Sequence, residues 1–569
     1  MIEATSKGGP SKMYDDIGRL AGRLSRESTA GVQGGETARE FGVSIGNLMN
    51  VEARVLERMS LEYRERGRPA FVTPNDSGSW FPDQSQSAPF QWVRAAAFDS
   101  SVRIHVCVFD PSVNDRAVEQ WYGGLMREAE RRWPKEGQGR DARSQFQPRH
   151  PDSQRRFVFH RGRIDERSVR ATLESLGATR GDLVLCIIPS VKGENVKSGL
   201  YPSIKNWLHE RGVVTQCTQG ARVLAPPRNY ECNMWLKINL KMGGANSHPG
   251  QYRDRTKGLD LLRAPIGQYG PGTIVLGCDV HHPPPGADDR PSFASVVASM
   301  DADGSFDKHL VLVDKQPINR GEIVLTLQAM VEKCLRKWIE KNGRPPHRII
   351  FYRDGVAHSQ FEFVRDHEVA AVERACEVFH LPAQIVFIVT QKRTLARFFV
   401  DLELQSQGGR GGGRGFEGRG GGKGGGKGGK GGKGGKDPLK LAPGTVIDDP
   451  AVVSPVMFDF YLAPHYAGIG TPRPIHCHVL WNTANLDADE LQKLTFELCH
   501  MYGRCTKIVS QPAPTYYADL AAEQAPFLMK DFKDYEGWDV RSATGSHASG
   551  ASAEFVQVST SLEENLFFA

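Results

Sequence analysis

No stretch of the sequence approaches the roughly 18 uninterrupted apolar residues that a membrane-spanning helix needs, and the opening MIEATSKGGPSK has no apolar core of the secretory kind. Ten cysteines are scattered singly with no C-x-x-C pair, which argues against a zinc knuckle and a disulfide framework. No internal repeat of roughly 20 to 50 residues is evident. These absences lead to the expectation of a soluble, intracellular chain with reduced thiols. Hydrophobic residues at 39% and charged residues at 24% leave room for a packed core. A chain of 569 residues is too long for one compact unit, and at roughly 100 to 200 residues per domain about three or four units are expected.

The net charge of +6 is unevenly placed. Residues 408–436, GGRGGGRGFEGRGGGKGGGKGGKGGKGGK, carry +7, so the remainder is close to neutral. The pI therefore says little about the folded body, and a nucleic-acid reading must rest on particular residues. With 19 glycines in 29 residues, that segment cannot bury enough apolar surface to offset its ordering entropy. It is expected to be a disordered basic insertion. Two readings of it stay open: loose, salt-sensitive contact with RNA phosphates, or a tolerated surface insertion.

Hydropathy patterning divides the rest. The first hundred residues mix a basic amphipathic stretch, IGRLAGRLSRE, with Gly- and Pro-punctuated pieces, and read as a connecting segment over 1–101. Strand-like SVRIHVCVF and DLVLCII alternate with helical patterning near 115–133 and 202–210, which indicates an α/β domain over 102–248. A second strand-rich series covers 249–569, with TIVLGCDV, SFASVVASM, HLVLVD, RIIFYRD, IVFIVT and HVLWN. Ile323, Leu327, Met330, Val331, Cys334, Leu335 and Trp338 mark one stripe of a helix between them. Asp487 and Glu490 form a capping signal ahead of Leu491, Leu494, Leu498 and Tyr502.

Two carboxylates end hydrophobic strands, Asp279 in VLGCDVHHPPPG and Asp354 in IIFYRDG. Strand ends of α/β sheets open into ligand crevices, and carboxylates there suit hard cations such as Mg²⁺. Asp before Gly is also common turn chemistry, so spacing alone leaves both readings standing. Tyr201 with Lys205, and Lys237 with Lys241, lie four apart and share helical faces. Ammonium groups and a hydroxyl gathered in this way make a phosphate site, and solvated lysines are the alternative. His281, His282, His476 and His478 suggest a metal cluster. They are read instead as packing or hydrogen-bonding groups, since no spacing such as H-E-x-x-H occurs.

GCDVHHPPPG, RIIFYRDGVAHSQF, HCHVLWN and ELCHMYGRCTKIVSQPAPTYYADL resemble the signature segments of the PIWI domain of eukaryotic Argonaute proteins. YPSIKNWLHERGVVTQC and LKINLKMGGAN resemble the MID domain, and REFGVSIGNLMNVEARVL resembles the linker before it. The likeness covers nearly the whole chain apart from the glycine-rich insertion and parts of 134–160. The insertion and an acidic final site residue are similar to fungal Argonautes of the quelling type.

The resemblance implies a Rossmann-like MID domain followed by an RNase H-like PIWI domain that cuts RNA paired to a small guide. Asp279, Glu322, Asp354 and Asp519 match its catalytic tetrad, Glu322 being the residue that inserts when the guide is loaded. Asp279, Asp354 and Asp519 are the implied metal ligands, for Mg²⁺ or Mn²⁺. An acidic fourth ligand, where many members have His, is compatible with Mg²⁺. A first-turn helix acid is the alternative for Glu322.

Tyr201, Lys205, Gln216, Lys237 and Lys241 match the residues that bind the guide 5′-phosphate, with Tyr201 stacking on the first base. Arg393, Tyr502, Arg504 and Ser510 match guide-backbone contacts. Gln524 stands where members often carry an arginine, and the segment IPSVKGENVKSGL before Tyr201 is longer than in animal relatives. The implied partners are a small guide RNA, a complementary target RNA and silencing-complex proteins, with no membrane, and the implied location is the cytoplasm, extending to the nucleus. A non-cleaving guide-binding module that recruits partners is the rival reading, and a general RNA-binding protein working through its RGG-like loop is a third. Family members carry an N-terminal domain and a PAZ domain before this linker. Neither is recognised in the first hundred residues, so a truncated form, a fragment or an incomplete gene model is expected.

Overall fold

The computed structural model describes residues 9–30, 48–80 apart from 66, 91–97, 101–133, 135–136, 143–144, 146, 157–160, 164–190, 199–250, 262, 272–283, 291–317, 321–401, 438–467, 470–528 and 566–568. The insertion 408–436 and the loop 191–198 before Tyr201 lie outside the described residues. Among the described residues no helix is long and apolar enough to cross a membrane.

Helix α1 (Pro10–Ala30) precedes three short strands, β1 (Arg54–Val55), β2 (Leu61–Glu65) and β3 (Arg68–Val72). These strands are absorbed by sheets built from distant sequence. Strand β4 (Ile104–Val108) leads into α2 (Asp115–Arg132), whose first turn is capped by the Asn114 side chain on the Ala117 amide. A two-residue ribbon follows, β5 (Lys135–Glu136) with β6 (Arg143–Ser144).

Then come β7 (Val158–Phe159), α3 (Glu166–Ser175), β8 (Leu183–Ile188), α4 (Leu200–Glu210), β9 (Val214–Gln219) and α5 (Tyr230–Lys241). Strands β7-β4-β8-β9 form a wholly parallel sheet in that order. Every residue of LVLCII in β8 is buried, as a parallel strand covered on both faces requires. This unit is Rossmann-like.

Strand β10 (His248–Pro249) closes a small sheet with β2 and β3. The large sheet contains β11 (Thr273–His281), β12 (Phe293–Ser299), β13 (His309–Lys315), β14 (Arg348–Asp354), β15 (Gln384–Gln391), β16 (Thr445–Ile447), β17 (Asp459–Ala463) and β18 (Ile475–Asn482). Its order is β1-β16-β17-β18-β15-β14-β11-β12-β13. Strands β11, β12 and β13 run antiparallel, whereas β14 and β15 run parallel to β11. This mixed core is RNase H-like.

Alternation along the strands sorts the side chains to two faces. Ile274, Leu276, Cys278, Ile349 and Phe351 pack with helix α6 (Leu327–Asn342) and helix α7 (Ala370–Val378) in one cluster. Val275, Ile350, Tyr352, Val386 and Ile388 face the other way, toward α8 (Ala488–Leu498) and α9 (Ala513–Gln524).

Two helix expectations shift. Helix α6 begins at Leu327, so Ile323 and Glu322 precede it, and Glu322 is not a first-turn helix acid. Helix α8 carries the expected Asp487–Glu490 capping box but ends at Leu498, leaving Tyr502 in the following loop. A turn of helix satisfies its own amides only while the chain stays helical, and neither Ile323 nor Tyr502 is needed for that.

Candidate active site and anion pocket

Asp279 and Asp354 come together because their strands are parallel neighbours in register, with Cys278 opposite Arg353. Both carboxylates fall on the α9 side by strand alternation. Helix α9 reaches them because residue 277 is glycine. A Cβ there would lie 2.1 Å from the Pro514 carbonyl carbon and 2.6 Å from the Thr515 nitrogen, so only glycine admits the helix backbone. The Ser295 hydroxyl also donates to the Ala518 carbonyl at 2.6 Å. Asp519, the next residue on α9, is thereby delivered to the acidic pair.

Lys392, just past β15, joins them. Its Nζ lies 2.8 Å from Asp354 Oδ2 and 3.7 Å from Asp519 Oδ2. Burial alone would lower the pKa of this ammonium, yet Asp354, Asp519 and Asp279 hold it above its ordinary value. Burial, with the Asp354 and Asp519 charges, pushes the Asp279 carboxyl up to about 7, against Arg353 and Lys392. Gln511 Nε2 donates to Asp354 Oδ2 at 3.2 Å.

Glu322 approaches from the loop before α6. A Cβ on Gly355, whose φ is +88°, would lie 3.6 Å from Asp279 Oδ1 and 3.7 Å from Glu322 Oε2, so these oxygens flank one point. The other oxygen of Glu322 lies 2.9 Å from His282 Nε2, and His282 Nδ1 meets Ser292 Oγ at 2.7 Å. On the opposite face of β14, Arg353 and Glu368 are both fully buried and pair at 3.0 Å. The Arg353 guanidinium also donates to the carbonyls of Glu322 and Asp354, tying the Glu322 loop to the end of β14.

Asp279, Asp354 and Asp519 thus share one neighbourhood around Lys392, and Glu322 stands beside Asp279. Lys392 and Gln511 were missed by the sequence reading, although both lie inside segments already singled out, next to Arg393 and Ser510. The donor set is carboxylate oxygen, and burial together with the neighbouring carboxylate charges opposes ionisation of Asp279. That is the environment a hard divalent cation fits.

A second cluster has the opposite sign. Lys205 and Lys241 are each only 3% exposed. Lys205 Nζ donates to Thr215 Oγ1 at 2.9 Å, and Lys241 Nζ donates to the Thr215 carbonyl at 3.0 Å and Gln216 Oε1 at 2.9 Å. Burial, then Lys205 and Arg504, holds the Lys241 pKa well below its ordinary value, and burial with Arg504 lowers that of Lys237. Among the described residues no carboxylate pairs with these four cations. Buried cations without a carboxylate partner are a chemistry that a bound anion would satisfy.

Tyr201 borders this pocket, its ring 5.6 Å from Lys205 Nζ. The Tyr201 hydroxyl donates to Gln524 Oε1 at 3.3 Å, and its ring meets Phe527 edge-on at 5.3 Å. Gln524 thus seals α9 against α4 at the position of the departure noted in the sequence. Arg504, read as a backbone contact, sits with the lysines and donates to the Tyr502 hydroxyl at 3.2 Å. Arg393 is exposed and Ser510 half-buried, and neither joins either cluster.

The Piwi domain model matches residues 183–530, more than half of the chain. The chain belongs to the Argonaute family. Rice protein argonaute MEL1 is 32% identical over 542 residues, covering 91% of this chain and 44% of that protein. Rice protein argonaute 1D is 32% identical over 544 residues, covering 90% and 45%. This Argonaute chain thus spans less than half the length of those relatives. In fold it is similar to Kluyveromyces polysporus Argonaute with a guide RNA, at TM-score 0.70, 20% identity, and coverage of 99% of this chain and 61% of that one. The C-terminal lobe of a budding yeast Argonaute gives TM-score 0.66 at 20% identity, covering 91% and 95%. These likenesses cover the MID and PIWI part of the Argonaute fold.

Proposed function

We propose that the chain holds a small guide RNA by its 5′-phosphate and hydrolyses RNA paired to that guide. The observation that carries this reading is that Asp279, Asp354 and Asp519, from two strands and a helix, share one charged neighbourhood with Lys392, with Glu322 Oε2 on the same side as Asp279 Oδ1.

Asp279, Asp354 and Asp519 would hold Mg²⁺, which when bound lowers the pKa of an attacking water and stabilises the leaving oxygen. Gln511 and Lys392 orient the Asp354 carboxylate, and the Arg353 guanidinium fixes the carbonyls on either side of the site. The expected products carry a 3′-hydroxyl and a 5′-phosphate. Lys205, Lys237, Lys241 and Arg504 supply charge-assisted donors for a terminal phosphate. Arg393, exposed beside Lys392, and Ser510, half-buried beside Gln511, would meet the guide backbone. Base pairing selects the target while the protein grips backbone and shape.

The test is to load a 5′-phosphorylated guide RNA and add a labelled complementary RNA with Mg²⁺. Cleavage opposite the middle of the guide is expected. Asp354→Asn should reduce it by at least about a hundredfold, as loss of a metal-supporting group does, with guide affinity unchanged. Guide binding without cleavage by the native chain would favour the recruiting module instead.

A further inference from the structure

His476 and His478 lie two apart on β18, so both project to the face opposite the Asp279–Asp354–Asp519 site. His358 comes to the same place from the turn that leaves β14 four residues after Asp354. One ring nitrogen from each of His358, His476 and His478 lies within 4.8 Å of the other two. His476 and His478 are buried and His358 is exposed. The ring centroids of His476 and His478 are 3.8 Å apart, and those of His358 and His478 are 4.4 Å apart.

Hydrogen bonds fix which nitrogens are free. Gln391 donates its Nε2 to the Val356 carbonyl at 2.8 Å, so its Oε1 is an acceptor, and it stands 3.3 Å from His478 Nε2. His478 therefore carries its proton on Nε2 and a lone pair on Nδ1. That Nδ1 is buried without a hydrogen-bond partner, an arrangement that costs free energy unless something fills it. His476 Nε2 bonds Asp459 Oδ2. A carboxylate acceptor there places the proton on Nε2 and leaves Nδ1 of His476 free as well. A free lone pair on each of these imidazoles is what a metal ion takes up.

We propose that His358, His476 and His478 form a zinc-class metal site, separate from the acidic site and on the other side of the sheet. Imidazole donors suit Zn²⁺, whereas Mg²⁺ demands oxygen. Asp459 and Gln391 complete the outer partners that orient ligating histidines, Asp459 as the carboxylate of a carboxylate–histidine–metal relay. Closing the nitrogens to the roughly 2.0–2.1 Å bonds of Zn²⁺ falls to His358, which sits on an exposed turn. A three-histidine set leaves a fourth position for water. The bound ion would clip the turn after Asp354 to β18.

The experiment uses the full chain stripped with a chelator and titrated with Co²⁺, read by the visible absorption of four-coordinate Co²⁺. One Co²⁺ per chain is expected, displaced by Zn²⁺, indifferent to excess Mg²⁺, and accompanied by a rise in melting temperature. His358→Ala, exposed and so tolerated by the fold, should weaken Co²⁺ binding at least about tenfold, and Asp459→Asn about 10- to 100-fold. The double variant Asp279→Asn, Asp354→Asn should leave the spectrum intact. No absorption band, a band unchanged by His358→Ala, or a band abolished by the Asp279 and Asp354 changes would each overturn the proposal.

Discussion

Glu368→Gln tests how the acidic site is held. Glu368 and Arg353 are both fully buried. Glu368 Oε1 also accepts the Val324 amide at 3.0 Å, while Arg353 reaches the carbonyls of Glu322 and Asp354. Glutamine keeps the volume and an acceptor for Val324 but leaves the guanidinium without its carboxylate. Breaking a buried pair from one side costs about 3–5 kcal/mol, and at about 2–4 °C per kcal/mol the melting temperature should fall by roughly 6–20 °C. The loop carrying Glu322 loosens with it, so single-turnover cleavage should drop while binding of a 5′-phosphorylated guide holds. A further prediction separates the two effects. Arg353→Met combined with Glu368→Leu should recover part of the stability, because an apolar pair of similar volume replaces the ion pair while the Val324 amide loses its acceptor. Cleavage should stay low, because the tether to the Glu322 carbonyl is gone. Thermal melts followed by circular dichroism, alongside cleavage of a labelled target, decide the matter. A Glu368→Gln protein within about 1 kcal/mol of the native chain would refute the reasoning.

Three other outcomes follow from the same contacts. His500 is buried and its pKa held down to about 4, chiefly by burial. Its folded value lies below its unfolded one, so its contribution is complete above about pH 6.5. It is lost as pH falls toward 4, by about 3 kcal/mol in a denaturant titration repeated across that range. Lys241→Met should remove most of the preference for a 5′-phosphorylated over a 5′-hydroxyl guide, measured as the ratio of dissociation constants, and an unchanged ratio would remove Lys241 from the pocket. Gly277→Ala forces a Cβ to within 2.1 Å of the Pro514 carbonyl carbon. It should cost about 1–3 kcal/mol or more in melts and depress cleavage by moving Asp519 away from Asp279.

Much of the strand order was legible because burial periodicity is local. TIVLGCDV, RIIFYRD and IVFIVT form strands within a residue or two of the expected spans. The Asp487–Glu490 capping box could be read from four letters, since a cap is a contact between residues three apart. Strands β1 to β3 were not legible. Arg54–Val55 is a strand only because β16, nearly four hundred residues away, supplies its partner, and an isolated pair of such residues has no reason to extend.

The sequence by itself determined the residue types and motifs: carboxylates at two strand ends, lysines on two helix faces, and segments that carry the Argonaute resemblance. Tertiary structure alone decided which of them meet. Lys392 and Asp519 join Asp279 and Asp354, whereas Gln391, one residue before Lys392, turns to the other face and bonds His478. Alternation in a strand assigns neighbours to opposite faces, but only the packed sheet says what waits on each. His358, His476 and His478 come together for the same reason: through-space proximity is set by strand pairing and not by sequence spacing.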